Sequence, residues 1–276
     1  MTARHAMLAL APLVALAAIA GLVLRLLSYD RPLSGDAPEG LIIYCDDAVA
    51  APLDGMGQEH LGGGLLDFFR RRSGLQVKII SGESTDLLAR LSSGASADLF
   101  IAEDGSFIRE AGAAGLVRAS LPLVRLMPVI MSRPGLPRTP EGVADLAHAD
   151  LRLGLAAANS GLGRLTRDLF RAHGVDPGAL RNILVTTGTA QELARAVEFG
   201  ELDAAVVWAP VALFERRMAE ITSIAPEDAF SSTVSLAVLN SSANPAAARQ
   251  LADFLAGPVG QAHFLRMGYA AALETE

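Results

Sequence analysis

Asp46 and Asp47 stand side by side at the end of a short apolar run, LIIYC (41–45), and lead into small apolar residues, AVAAPL (48–53). Two acids at the mouth of a buried strand have few chemical uses. They could give hard oxygen ligands to a cation, with Glu83 as a third, or hold a cationic organic solute. They could serve as acid and base of a hydrolase, although adjacent residues leaving a strand tend to point apart and no nucleophile is spaced nearby. Or one could cap the turn that follows while the other faces water, an ordinary structural use of aspartate.

Three more loops carry small polar residues just before a helical pattern. They are Ser81-Gly82-Glu83-Ser84, Ala157-Ala158-Asn159-Ser160-Gly161-Leu162-Gly163 and Thr186-Thr187-Gly188-Thr189. A helix start leaves backbone N–H groups without partners, and small hydroxylated residues let an anion approach them. Ser84, Ser160 and Thr189 also suit plain N-capping, which stabilises a helix by about 1 kcal/mol. Thr189 with Glu192 fits the S/T-x-x-E capping box. His60, His148, His173 and His263 have no metal-ligand spacing, and no GxSxG elbow, P-loop or GxGxxG follows a strand. No cofactor is expected.

These loops need elements to hold them, and the chain supplies strand and helix signals in alternation. Apolar or alternating runs predict strands at 41–45, 75–80 and 97–102, with helices marked by Leu61, Leu65, Phe68 and Phe69 and by Leu87, Leu88 and Leu91. The second half predicts strands at 125–131, 151–156, 182–187, 204–209 and 232–239, with helices over 161–173 and 190–199 and two more after Asn244 and Gly257. Alternation of this kind implies an α/β fold of doubly wound sheets, whose ligands bind at the carboxyl ends of the strands. Pro128 lacks an N–H to give to a central strand and suits a connection between domains.

At 276 residues with 51% hydrophobic content, the chain is long enough for one large or two modest domains. The net charge of −7 and the lack of a basic run argue against nucleic acid as partner. Cys45 is the only cysteine, which excludes internal disulfides and thiol-rich metal sites. Ala6 to Leu24 carries no charged residue and is bracketed by Arg4 and Arg25. Residues 1–27 therefore read as one hydrophobic helix, a signal or membrane anchor, with 28–40 as a linker. The location expected is the periplasm or the outer face of the cell membrane.

Three stretches carry a resemblance. SGESTDLLARLSSGASADLFIAED (81–104), TAQELARAVEFGELDAAVVWAP (189–210) and NPAAARQLADFLAGPVGQAHFLRMGY (244–269) are similar to segments of periplasmic molybdate-binding proteins, type II solute-binding components of ABC importers. The resemblance implies two α/β lobes joined by crossover strands, residues 41–122 plus 232–276 and residues 123–231. It implies a monomer that binds a tetrahedral oxyanion such as molybdate or tungstate between the lobes, works with an ABC permease and catalyses nothing. Carried over residue by residue, the ligand contacts fall at Ala48 with the adjacent Asp46 and Asp47, at Ser84, at the Asn159, Ser160 and Gly161 turn, at the Thr189 and Ala190 helix start, and at Trp208.

The match departs from the family pattern where the charge matters most. Ala48 stands where the family has a hydroxyl, Trp208 where it has a tyrosine, and two acids are added beside them. A carboxylate about 5 Å from a dianion costs roughly 6 to 7 kcal/mol at an effective dielectric of about 20, against roughly 1.5 to 3 for a lost hydrogen bond to a charged group. Either the acids avoid the ligand, one is protonated, or they pair with an arginine such as Arg164; otherwise the ligand is not a bare dianion. The same fold holding a cation or another small solute through Asp46, Asp47 and Glu83, or serving as a membrane-tethered ligand sensor, is the alternative.

Overall fold

The computed structural model of the chain describes residues 40–55, 64–148, 150–215, 218–224 and 230–272. The expected N-terminal helix and nearly all of the linker lie outside the described residues. Among those described, no helix is long and apolar enough to cross a membrane.

The chain first lays down β1 (Leu41–Asp46), α1 (Asp47–Asp54), α2 (Leu65–Ser73), β2 (Val77–Gly82), α3 (Ser84–Ser92), β3 (Leu99–Ala102), α4 (Gly105–Ala113) and β4 (Val117–Leu126). It then makes β5 (Pro128–Ser132), a 3-10 turn (Val143–Ala147), β6 (Leu153–Ala156), α5 (Gly161–Ala172), β7 (Ile183–Thr187), α6 (Ala190–Glu198), β8 (Ala204–Trp208), α7 (Ala209–Glu215) and β9 (Glu220–Ser223). It closes with β10 (Ser232–Leu239), α8 (Pro245–Ala256), α9 (Pro258–Arg266) and β11 (Ala270–Ala271).

These strands form two sheets and hence two lobes. The first sheet runs β11-β4-β10-β3-β1-β2 and the second β7-β6-β8-β5-β9. Each has three parallel strands at one end, β3-β1-β2 in one and β7-β6-β8 in the other, and antiparallel strands beyond them on the other side. The helices bury the stripes their sequences predict. Ala190, Leu193, Ala194 and Val197 of α6 recur at i, i+3, i+4 and i+7 and are buried, as are Leu162, Thr166, Leu169 and Phe170 of α5.

The chain passes from the first sheet to the second at Met127, between β4 and β5. Pro128 is the first residue of β5, where a missing N–H removes little from a ladder, and it pairs with Trp208. This crossover lies beyond the 122/123 boundary expected from sequence, because residues up to Leu126 still pair with β10. Pro122 sits inside β4 without breaking it. The register against β10 slips there, with Val124 opposite Val234 and Pro122 opposite Ser235, so Leu123 is an extra residue in a bulge.

Candidate functional site

The carboxyl ends of β1 and β3 bring two acids to one buried place. Asp46 ends β1 and caps α1, its Oδ1 accepting from the Ala48 N–H at 2.9 Å. Its Oδ2 accepts from the Ser84 N–H at 2.9 Å and from the Ser84 hydroxyl at 2.6 Å. Glu103 follows β3, and the same Ser84 Oγ accepts its N–H at 3.1 Å. Ser232, at the start of β10, donates its hydroxyl to the Glu103 carbonyl at 2.8 Å and fixes the turn.

Glu103 belongs to the first lobe, but its side chain is held by the second. Oε1 accepts from the Gly161 N–H at 2.6 Å, at the start of α5. Oε2 accepts from the Trp208 indole N–H at 3.1 Å, at the end of β8. Both acids are almost sealed from solvent, Asp46 being 5% exposed and Glu103 6%. Burial pushes both carboxyls above the ordinary range, and for Asp46 the neighbouring Glu103 charge adds to it. The donors aimed at each acid work against that rise.

Other bonds tie the lobes alongside. Gln191 Nε2 donates to the Asp47 carbonyl at 2.8 Å. Arg164 of α5 donates to the Ser106 hydroxyl at 3.2 Å, lies 3.8 Å from an Asp104 carboxylate oxygen and stacks its guanidinium 5.0 Å from the Phe107 ring centre. Arg164 therefore does cross the cleft, but to Asp104 rather than to Asp46 or Asp47. Glu83 also reaches over, since a Cβ on Gly188 would stand 1.7 Å from its Oε1.

Two contiguous spaces remain between the lobes. A nook of about 20 Å³, room for roughly one water, is lined by Asp46, Asp47, Glu83 and Glu103 together with residues that include Thr189, Ala190 and Trp208. It shares Asp47, Ala48, Thr189 and Gln191 with a cavity of about 380 Å³. Apolar groups such as Pro52, Val211, Phe214 and Met267 line that cavity, and its charged lining is Asp47, Glu192, Glu215 and Arg195. Arg195 is bound to Glu215 at 3.0 Å, which leaves the space net acidic. Burial raises the Asp47 and Glu83 carboxyls as well, Asp47 against a hydrogen bond from Ser81 and Glu83 with the help of nearby acids.

The residues expected from sequence thus divide. Asp46, Ser84, Gly161 and Trp208 do converge, while Asp47, Ala48, Thr189 and Ala190 line the two spaces. Asn159 is exposed, and its carbonyl accepts from Arg164 at 2.7 Å. Ser160 caps α5, its Oγ accepting from the Gly163 N–H at 3.0 Å, and Thr189 caps α6 in the same way. Ser84 is not a cap: it is the first residue of α3, and Glu83 precedes it without a side-chain bond. The cation set Asp46, Asp47 and Glu83 is not assembled, because both Asp46 oxygens are taken by donors. Among the described residues no group of three or more His, Cys, Asp or Glu side chains could hold a metal ion. Glu103 was not anticipated; its one signal is an acid following an entirely buried strand, the placing that singled out Asp46 on β1.

Two α/β lobes that meet on a buried polar cleft, joined by strands crossing between sheets, define a receptor for a small solute. The chain belongs to the family of bacterial extracellular solute-binding proteins, whose pattern it matches over residues 64–270. A relative from Haemophilus influenzae is 27% identical over 202 residues, covering 73% of this chain and 82% of the relative. The periplasmic molybdate-binding protein of Azotobacter vinelandii superposes with a TM-score of 0.69 at 17% identity, over 84% of this chain and 99% of that one. Iron-bound HitA from Pseudomonas aeruginosa does so at 0.66 and 18% identity, over 87% and 90%.

Proposed function

We propose that this chain is the solute receptor of an ABC-type importer, that it works outside the cytoplasm beside a membrane permease, and that its ligand is a small neutral or cationic organic molecule seated in the 380 Å³ interlobe cavity. The observation that carries this reading is the fate of the cleft's donors. Ala48 N–H, Ser84 N–H, Ser84 hydroxyl, Gly161 N–H and the Trp208 indole all end on the chain's own carboxylates. An incoming dianion finds them taken and meets acids instead, at roughly 6 to 7 kcal/mol for each charge about 5 Å away. The larger cavity has the apolar walls and the few polar groups that hold small organic ligands.

The test is a thermal-shift panel on the full chain with amines, amino acids, sugars and polyols set against molybdate, tungstate and sulfate. A ligand at a hundred times its Kd stabilises by about 2.7 kcal/mol, which in a domain of this size raises Tm by roughly 5 to 11 °C. A shift of that order with an amine or neutral solute, and none with the oxyanions, is expected. Micromolar calorimetric binding of molybdate to the unmodified chain would overturn the reading.

The oxyanion reading rests on the resemblance to molybdate-binding proteins and on the convergence of helix-start donors. It requires Glu103 to leave Gly161 and Trp208, and Asp46 to turn away or hold a proton. The same calorimetric titration decides between the two.

A further inference from the structure

We propose that Glu103 is an internal stand-in for a bound anion: its carboxylate occupies, from within the chain, a carboxylate site formed by the second lobe, and its removal leaves a receptor for a small free carboxylate. The geometry carries this. Glu103 is anchored on the first lobe through its backbone, yet both side-chain bonds come from the second, from Gly161 N–H at 2.6 Å and Trp208 Nε1 at 3.1 Å. One donor is a buried helix start and the other an indole that is fully buried, and the Glu103 carboxylate is the partner of both while the lobes are together.

The backbone is shaped around this carboxylate. A Cβ on Gly161 would lie 2.8 Å from Oε1 and 2.9 Å from the carboxyl carbon, so the absence of a side chain there is what lets the acid seat against the N–H. The remaining nook of about 20 Å³ has no room for a free anion while Glu103 is in place. Its other acids, Asp46, Asp47 and Glu83, favour a monoanion over a dianion once the place is emptied. Bridging two lobes by bonding to donors of the far one is what a cleft ligand does, so Glu103 decides both what is excluded and how the lobes are held.

The inference rests on the two lobes forming a solute cleft, not on which solute fills it. Glu103→Ala deletes a group whose outer atoms match acetate. Trp208 is the only tryptophan in the chain, so its fluorescence reports the surroundings of this one residue. In Glu103→Ala, emission is expected to shift to the red and acrylamide quenching to rise at least twofold over the unmodified chain. Acetate or formate in the millimolar range restores both saturably, whereas chloride at equal ionic strength does not. Glu103→Gln, which still fills the space, gains no acetate response.

Unchanged emission in Glu103→Ala, or recovery no better with acetate than with chloride, overturns the inference. Recovery by sulfate and molybdate at lower concentrations than acetate overturns the monocarboxylate assignment. Should Glu103→Ala not fold, hydrogen exchange of the Trp208 indole N–H in the unmodified chain serves instead: protection well beyond that of a solvated indole supports the bond, and free exchange refutes it. If acetate rescues but no solute of the panel stabilises the unmodified chain, the stand-in role survives and the proposed ligand class does not.

Discussion

Replacing Ser84 by alanine separates two accounts of that residue. If it were a plain helix cap, the change would cost about 1 kcal/mol. The structure gives it more to do. Its hydroxyl donates to Asp46 at 2.6 Å and accepts the Glu103 N–H at 3.1 Å, and the residue is 1% exposed. Alanine removes both bonds without adding volume. A hydrogen bond to a charged acceptor contributes about 1.5 to 3 kcal/mol, and a buried N–H left without a partner costs a further 1 to 3. Asp46 keeps its bonds from the Ala48 and residue-84 amides, and neighbouring losses do not add, so a net loss of about 3 kcal/mol is expected.

Urea unfolding followed by circular dichroism measures this directly, and the pH dependence gives a second check. Asp46 titrates above the ordinary carboxylate range when folded, so its contribution is fully present below the unfolded value of about 3.9 and declines as pH rises through the raised folded value. The Ser84 hydroxyl is among the groups holding that value down. Removing it raises the value further, so the deficit of Ser84→Ala widens as pH rises past the raised folded value of the unmodified chain. A loss under about 1 kcal/mol that is flat with pH would refute the hydrogen-bonding account of this site.

Other perturbations have equally defined outcomes. Asp203→Ala removes the acceptor of Arg152 Nη2 and the Arg152 N–H, both at 2.8 Å, and of Arg133; because the arginines are partly exposed, the loss in urea unfolding is expected near 2 to 3 kcal/mol. Arg152 and then Arg133 hold the Asp203 carboxyl far below its usual range, so its contribution is present above the unfolded value of about 3.9 and is lost as pH falls below that, which an acid titration of Asp203→Asn beside the unmodified chain would detect. Gly163→Ala sets a Cβ 1.7 Å from the Ala157 carbonyl oxygen, which is backbone, so a melting loss above about 10 °C or no soluble protein is expected. Gly112→Ala in α4 meets nothing within 4 Å and is expected to raise stability by about 0.5 to 1 kcal/mol. Arg164→Ala loses half-exposed contacts across the lobes to Ser106 and Asp104 and its stacking on Phe107, none of them on Trp208, so acrylamide quenching of Trp208 should rise far less than in Glu103→Ala, with stability changed by about 1 kcal/mol.

What the sequence made legible was local. Apolar runs placed the central strands β3, β6 and β8, which are buried on both faces, and the 3.6-residue pattern of one buried face placed α5 and α6, all within a residue or two. Pro128 marked the sheet change because a missing N–H has few places to go. The early part of β4 was hidden by Pro122 and by polar residues at its exposed positions, and the bulge that admits the proline depends on β10, which lies over a hundred residues on. Glu103 was invisible for the same reason. In ADLFIAED it reads as the acidic turn after a strand, while its partners are 58 and 105 residues away, and no spacing along the chain announces them.

The charge argument made from sequence keeps its direction but changes its cause once partners are known. Asp46 beside a helix start looks like a repulsive obstacle to an anion only if the N–H groups are free to receive that anion. Here they are engaged by carboxylates that are covalently part of the chain, and a tethered group acts at an effective concentration of about millimolar or more. A free monoanion must therefore displace Glu103 and also bear repulsion of roughly 3 kcal/mol from each acid left about 5 Å away, and a dianion twice that. On the proposed reading, exclusion of anions rests on occupation first and repulsion second. The order matters: neutralising Asp47 or Glu83 alone should leave the unmodified cleft closed to oxyanions, because the donors they would expose are still held by Asp46 and Glu103.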